Sequence, residues 1–186
     1  MKTIHMLKGA NMSRFYEIIA RRGQSDKTRE VFTHCNVCQR QLSPLDMYVI
    51  SKAYQHGSCI FEAVQCMDCQ MDSKEYASEQ SMENIALYGG RRFKQFMQDP
   101  TQRDLYYLED PSCLITGESL VPADAFELHS FNIPGGGVDE NYIFVGPTAM
   151  EQMSELLSEE TRKSWGRYTE SLVPDSPDLV VSPMFL

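Results

Sequence analysis

Two Cys-x-x-Cys pairs constrain this chain more than any other feature. The first reads Cys35-Asn36-Val37-Cys38 and the second Cys66-Met67-Asp68-Cys69, with 27 residues between them. Each pair can grip an ion from two sides, and two pairs at this separation bring four sulfurs to one tetrahedral zinc without straining the backbone. A shell closed by Cys35, Cys38, Cys66 and Cys69 leaves no coordination position for water or substrate. The expectation is a structural Zn2+, with no catalytic residue attached to it. The same four thiols suit an iron–sulfur cluster, and the first pair alone suits a redox dithiol. A second pair and the lack of a surrounding βαβ pattern count against the redox reading. His34 and His56 lie near the pairs but are not needed as ligands, and Cys59 and Cys113 read as small buried hydrophobes.

Around the pairs, the apolar spacing predicts a short series of elements. Met12, Phe15, Ile18 and Ile19 recur at helical spacing before Gly23. Met47–Tyr54 and Phe61–Gln65 read as strands joined by a turn at Tyr54–Ser58. Cys66 to Leu87 reads as a helix ended by Gly89-Gly90, and Arg91–Met97 as a basic-aromatic continuation that Asp99-Pro100 stops. A cysteine knuckle, a hairpin, and a second Cys-x-x-Cys opening a helix resemble the treble-clef and zinc-ribbon-like class of zinc modules over residues 33–88. The chain departs from that class at Asn36 and Gln39, where a Pro and a Gly are usual.

Residues beyond 99 repeat this order and end it with a helix expected from about Pro147 to Glu170. At an offset of 78, Cys113 falls on Cys35 and Leu120–Asp124 falls on Leu42–Asp46; at an offset of 80, Glu155, Ser158, Glu159 and Tyr168 fall on Glu75, Ser78, Glu79 and Tyr88. The ligand positions do not follow, because Thr116, Gly146 and Ala149 stand where Cys38, Cys66 and Cys69 stand in the first copy. The expected fold is α+β: tandem treble-clef-like ββα units, the first zinc-bound and the second degenerate, preceded by an N-terminal helix. The corresponding segments are a helical arm over 1–30, a zinc module over 31–98, and a metal-free repeat with a C-terminal tail over 99–186.

Charge narrows the partners. The net charge is −9, but residues 1–30 carry +4 and residues 31–186 carry −13. An acidic body disfavours nucleic acid and anionic lipid, leaving Arg91, Arg92, Lys94 and the basic N-terminal arm as the only nucleic-acid candidates. The arm is more simply read as a strap docked on the body. The apolar runs are too short to span a bilayer, and reduced cysteines suit a cytoplasmic location. The Pro134–Gly137 turn lacks the Lys and Ser/Thr of a phosphate loop. Glu109-Asp110 and Asp139-Glu140 read as solvated loop acids, and no spacing supports Ser/His/Asp or Cys/His nucleophilic catalysis. The leading functional expectation is an intracellular protein-interaction or adaptor module, binding another protein or a second copy of itself. The alternatives are a nucleic-acid-binding or regulatory zinc finger, and an enzyme with an unrecognised site between the two repeats.

Overall fold

In a computed structural model, residues 12–108, 110–134 and 141–172 are described, without the side chains of Leu105 and Leu108. The first hairpin joins β1 (Tyr48–Gln55) to β2 (Ser58–Cys66). His56 and Gly57 both take positive φ, +47° and +89°, the conformation a two-residue turn needs to match the twist of its strands. Strand β1 also pairs antiparallel with β3 (Ala125–Asn132), which pairs with β4 (Tyr142–Val145), giving one four-stranded sheet of order β2-β1-β3-β4. Each half of the chain thus contributes one hairpin to a shared antiparallel sheet, in an α+β fold.

One sheet face carries Tyr54, Phe126, Leu128 and Phe144. Helix α1 (residues 12–20) inserts Phe15 and Ile18 there, with the Phe15 ring 4.9 Å from Phe126. The other face is covered by α3 (Glu79–Gln98) through Phe96 on Val49 and Phe131, and by α6 (Glu159–Leu172) through Trp165 and Tyr168 on Ala53 and Phe61. Between α3 and β3 lies α4 (Pro100–Leu108), an element the sequence pattern does not announce. Its role is clear from its hydroxyls. Tyr106 accepts the Phe144 N–H at 2.8 Å and Tyr107 accepts the Tyr142 N–H at 3.0 Å, closing the outer edge of β4.

Two expected helices are broken. The first divides into α2 (Met67–Asp72), a 3-10 turn at Ser73–Tyr76, and α3; the second divides into α5 (Pro147–Leu156) and α6. Both breaks fall before a serine that caps the following helix. Ser78 Oγ accepts the Ser81 N–H, and Ser158 Oγ accepts the Thr161 N–H. The two caps also exchange bonds: the Ser78 N–H donates to Thr161 Oγ1 and the Ser158 N–H to Ser81 Oγ, each at 3.0 Å. A third expectation is corrected at Gly89-Gly90, which do not end a helix, because α3 runs through them to Gln98. A Cβ on Gly89 would stand 3.2 Å from Ile115, so the residue is there for close packing rather than termination.

Candidate metal centre

Cys35 and Cys38 sit on a tight turn held by Cys35 N–H to Arg40 O at 2.9 Å and Gln39 N–H to Cys35 O at 3.0 Å. Gln39 takes φ +59°. A glycine would reach that conformation with less strain, which accounts for the departure from the usual knuckle being tolerable rather than favourable. Asn36 ties this turn to the sheet: its N–H donates to Val64 O at 2.8 Å and its Oδ1 accepts the Val64 N–H at 2.7 Å. Cys66 ends β2 and Cys69 lies in the first turn of α2, so the hairpin delivers the second pair directly over the first.

The four sulfurs all lie within 4.8 Å of one another. Cys38 and Cys66 Sγ are 3.8 Å apart, matching the roughly 3.8 Å edge of a tetrahedron with zinc–sulfur bonds near 2.3 Å. Cys35, Cys66 and Cys69 are buried against Leu42, Ile50 and Val64, while Cys38 is exposed. The Cys66 N–H also points at Cys35 Sγ, at 3.4 Å. Chiefly the backbone N–H of Arg40 lowers the Cys38 thiol to about 7, whereas burial pushes the Cys66 and Cys69 thiols up. The Arg40 guanidinium, its charge favoured first by Cys66, bonds Asp68 at 3.0 Å across the site. Four convergent sulfurs with a neighbouring cation fit a divalent ion such as zinc, which would supply a crosslink and no reactive position. His34 and His56 are exposed and stand outside the set. Cys59 is half-buried, donates to Phe61 O at 3.1 Å, and is pushed up to about 12 chiefly by burial.

The corresponding place in the second half is closed by a carboxylate. Cys113 makes the same turn, with its N–H on Glu118 O at 2.9 Å and the Gly117 N–H on Cys113 O at 2.8 Å. Glu118 Oε1 accepts the Thr148 N–H at 3.2 Å and Oε2 accepts its hydroxyl at 2.5 Å, at the start of α5. A Cβ on Gly146 would fall 2.0 Å from Glu118 Oε1 and 2.9 Å from Leu120. A side chain at 146 would therefore displace the Glu118 carboxylate from its bonds to Thr148 and press on Leu120.

Two buried polar clusters escape sequence reasoning. Lys52, with a fully buried side chain, bonds Asp26 Oδ2 at 2.8 Å and the Arg21 carbonyl at 3.2 Å; Tyr54 donates to the same carboxylate at 2.7 Å. Nearby, Glu62 receives the Ser25 hydroxyl at 2.5 Å and the Asp26 N–H at 2.6 Å. Together they clamp the loop after α1 onto β1 and β2. The second cluster is a Ser51–His129–Glu127 relay, with Ser51 Oγ 2.9 Å from Nδ1 and Glu127 Oε2 3.0 Å from Nε2. It resembles a hydrolase triad by composition. His129 and Glu127 are 1% and 0% exposed, so a substrate has no route to them and the relay is a core crosslink. The β1–β3 register places Ser51 opposite His129, and the sequence hints at this pairing through the offset of 78 that relates the two positions.

The described part of the basic segment is engaged with the body. The Arg14 and Arg22 guanidiniums lie over Phe126 and Tyr142 of the body, while Arg21 and Arg29 meet Asp26 of the same segment at 4.0 and 3.5 Å. Arg91, Arg92 and Lys94 are exposed on α3. Arg92 borders a polar cavity of about 470 Å3 with Gln95, Gln102 and Ser112. The expectations for residues 1–11, the Gly135–Gly137 turn, Glu109, Asp139-Glu140 and the tail from 173 lie outside the described residues. Among the described residues, no helix is long and apolar enough to cross a membrane. No protein-family model, curated protein or solved structure matches the chain.

Proposed function

We propose that the chain is a zinc-stabilised adaptor whose metal-bearing half recognises another protein. The observation that carries this reading is an asymmetry between the halves. The exposed large hydrophobic residues are Tyr16, Val31, Val37, Leu45, Met47, Met71, Tyr76 and Leu87, all before residue 88 among the described residues. Leu45 and Leu87 are 80% and 82% exposed. Exposed apolar side chains gathered in the part of the chain that carries a closed metal site suit binding rather than chemistry. Zn2+ at Cys35, Cys38, Cys66 and Cys69 acts as the crosslink that holds that surface in shape.

The finer architecture belongs to the same proposal. We infer a duplicated treble-clef-like unit, the second copy having exchanged its metal for Glu118. Support comes from matching turns at Cys35 and Cys113, from caps that bond each other reciprocally, and from β1–β3 pairing centred on Ser51 and His129, residues related by the offset of 78.

The test is a tagged pull-down of the full chain from its native cells at two salt concentrations, read by mass spectrometry and nucleic-acid absorbance. A stoichiometric protein retained at high salt is expected. Nucleic acid released steeply by salt would favour the alternative reading through Arg91, Arg92 and Lys94, and charge reversal at Arg91 and Arg92 would then abolish binding.

A further inference from the structure

The polar cavity of about 470 Å3 lies where α3, α4 and the turn at Cys113 meet. Arg92 and Gln95 line it from α3, with Phe96 in the same helical stripe; Gln102 lines it from α4 and Ser112 from the turn. Phe96 and Leu114, 2% and 9% exposed, give it an apolar backing. Its walls are tied together by Tyr106. That hydroxyl donates to the Ser112 carbonyl at 2.9 Å and accepts the Phe144 N–H at 2.8 Å, and the ring meets Phe96 edge-on at 5.3 Å. A Cβ on Gly117, where φ is +75°, would stand 3.7 Å from Arg92 Nη1, so the turn brings backbone and no side chain to the guanidinium. The offset of 78 puts Gln39 at the matching place in the first half, where its amide folds back to Asn36 O at 3.0 Å.

The polar groups around this space are uncommitted. Among the described residues, the side chains of Arg92, Gln95, Gln102 and Ser112 make no hydrogen bond or ion pair. Arg92 is the one charged residue among those described that line the cavity, on a chain of 26 Asp+Glu against 17 Lys+Arg. Glu118, next to Gly117, is held by Thr148, and Asp99 at the start of α4 accepts the Thr101 N–H at 2.9 Å. A guanidinium with free amide and hydroxyl donors beside it, and no acid to neutralise it, suits an oxyanion, which its planar fork grips through two parallel N–H bonds. The volume is larger than an inorganic ion needs and falls in the range of small-ligand sites. We propose that the cavity binds a small organic anion, a carboxylate or a phosphate monoester, with its charge on Arg92 and its apolar part against Phe96 and Leu114. The site goes beyond the adaptor reading and needs neither the metal nor a protein partner.

The full-length chain, labelled with 15N, is titrated with phenyl phosphate and with benzoate, and with benzyl alcohol as the uncharged control. The side-chain amide resonances of Gln95 and Gln102 and the backbone resonances of Ser112 and Gly117 shift saturably with an anion, at a Kd of about 1 mM or tighter, and stay in place with the alcohol. Tighter binding of phenyl phosphate assigns the site to a phosphate monoester, and tighter binding of benzoate assigns it to a carboxylate. Arg92→Gln weakens the preferred anion by at least about tenfold. Arg91→Gln, at a neighbour that is also exposed but does not line the cavity, binds as the parent does. Both variants fold, because each alters an exposed side chain, and unchanged resonances elsewhere in the spectrum verify it. No saturable shift with either anion, equal shifts with benzyl alcohol, or unchanged affinity in Arg92→Gln would overturn the proposal. An equal loss in Arg91→Gln overturns it as well, since it marks a diffuse basic surface rather than a site. Displacement of phenyl phosphate by a single-stranded oligonucleotide whose binding requires Arg91 has the same consequence, because it marks nucleic acid as the occupant.

Discussion

Lys52 is a fully buried cation whose charged partner is Asp26. Removing the charge from one member of such a pair leaves the other uncompensated in a poorly polarisable interior. Asp26→Asn is therefore expected to cost about 3 kcal/mol in urea denaturation. Lys52→Met should cost less, because Asp26 keeps Tyr54 and some solvent. A pH dependence accompanies the pair. Burial works against the Asp26 charge, but hydrogen bonds from Lys52 and Tyr54 outweigh it and hold the carboxyl below its ordinary value of 3.8. A lowered carboxylate contributes stability in full above the unfolded value and loses it as pH falls through the folded one. Parent stability should thus decline below pH 3.8, and Asp26→Asn should flatten that decline. Equal acid sensitivity in both proteins would show that another group governs it.

Glu118 and Gly146 make a second residue-scale prediction. Gly146→Ala should destabilise by about 1–3 kcal/mol, since the new methyl overlaps the carboxylate and presses on Leu120. Glu118→Ala should relieve part of that loss. The double-mutant cycle then gives a coupling of about 1 kcal/mol, and strict additivity would mean that the carboxylate is not where the structure puts it.

At the scale of elements, the two helix breaks and the caps that follow them form one device. Each cap hydroxyl serves its own helix, while each capping residue's N–H is bonded by the other helix's third residue. Ser81→Ala and Thr161→Ala should each cost about 1 kcal/mol, and together less than their sum, because the two links share one junction. Gly90 offers the opposite sign. It lies inside α3 with room for a methyl group, so Gly90→Ala should stabilise by up to about 1 kcal/mol through helix propensity alone.

The same elements show how far sequence reasoning reaches. The hairpin, the Cys-x-x-Cys spacing and the serine offset of 80 are local or periodic signals, and they are readable. Gly89-Gly90 reads as a stop because glycine usually ends helices. The reason for Gly89 here is Ile115, more than twenty residues away, and no local pattern carries that. Helix α4 is likewise hidden, since its tyrosines are placed by the open edge of β4 rather than by an apolar period of their own. Lys52 and Glu62 look like the polar side of alternating strands, yet both are buried because the loop carrying Ser25 and Asp26 folds over them.

For the whole molecule, the sheet shared by both halves means that a defect in one hairpin reaches the other through the β1–β3 pairing. The half that carries the four convergent cysteines has the larger stake. Structural zinc binding is worth on the order of 10–16 kcal/mol, comparable with the roughly 5–15 kcal/mol of a typical domain. Cys66→Ser should unfold residues 31–90 and loosen the second half, whereas Cys113→Ser, which removes one buried thiol outside the four-cysteine cluster, should melt close to the parent. Metal analysis of the native full-length protein, run beside these two variants, tests this most directly. The account predicts one zinc per chain in the parent and in Cys113→Ser, and none in Cys66→Ser. A metal-free, fully folded parent, or zinc retained in Cys66→Ser, would contradict it.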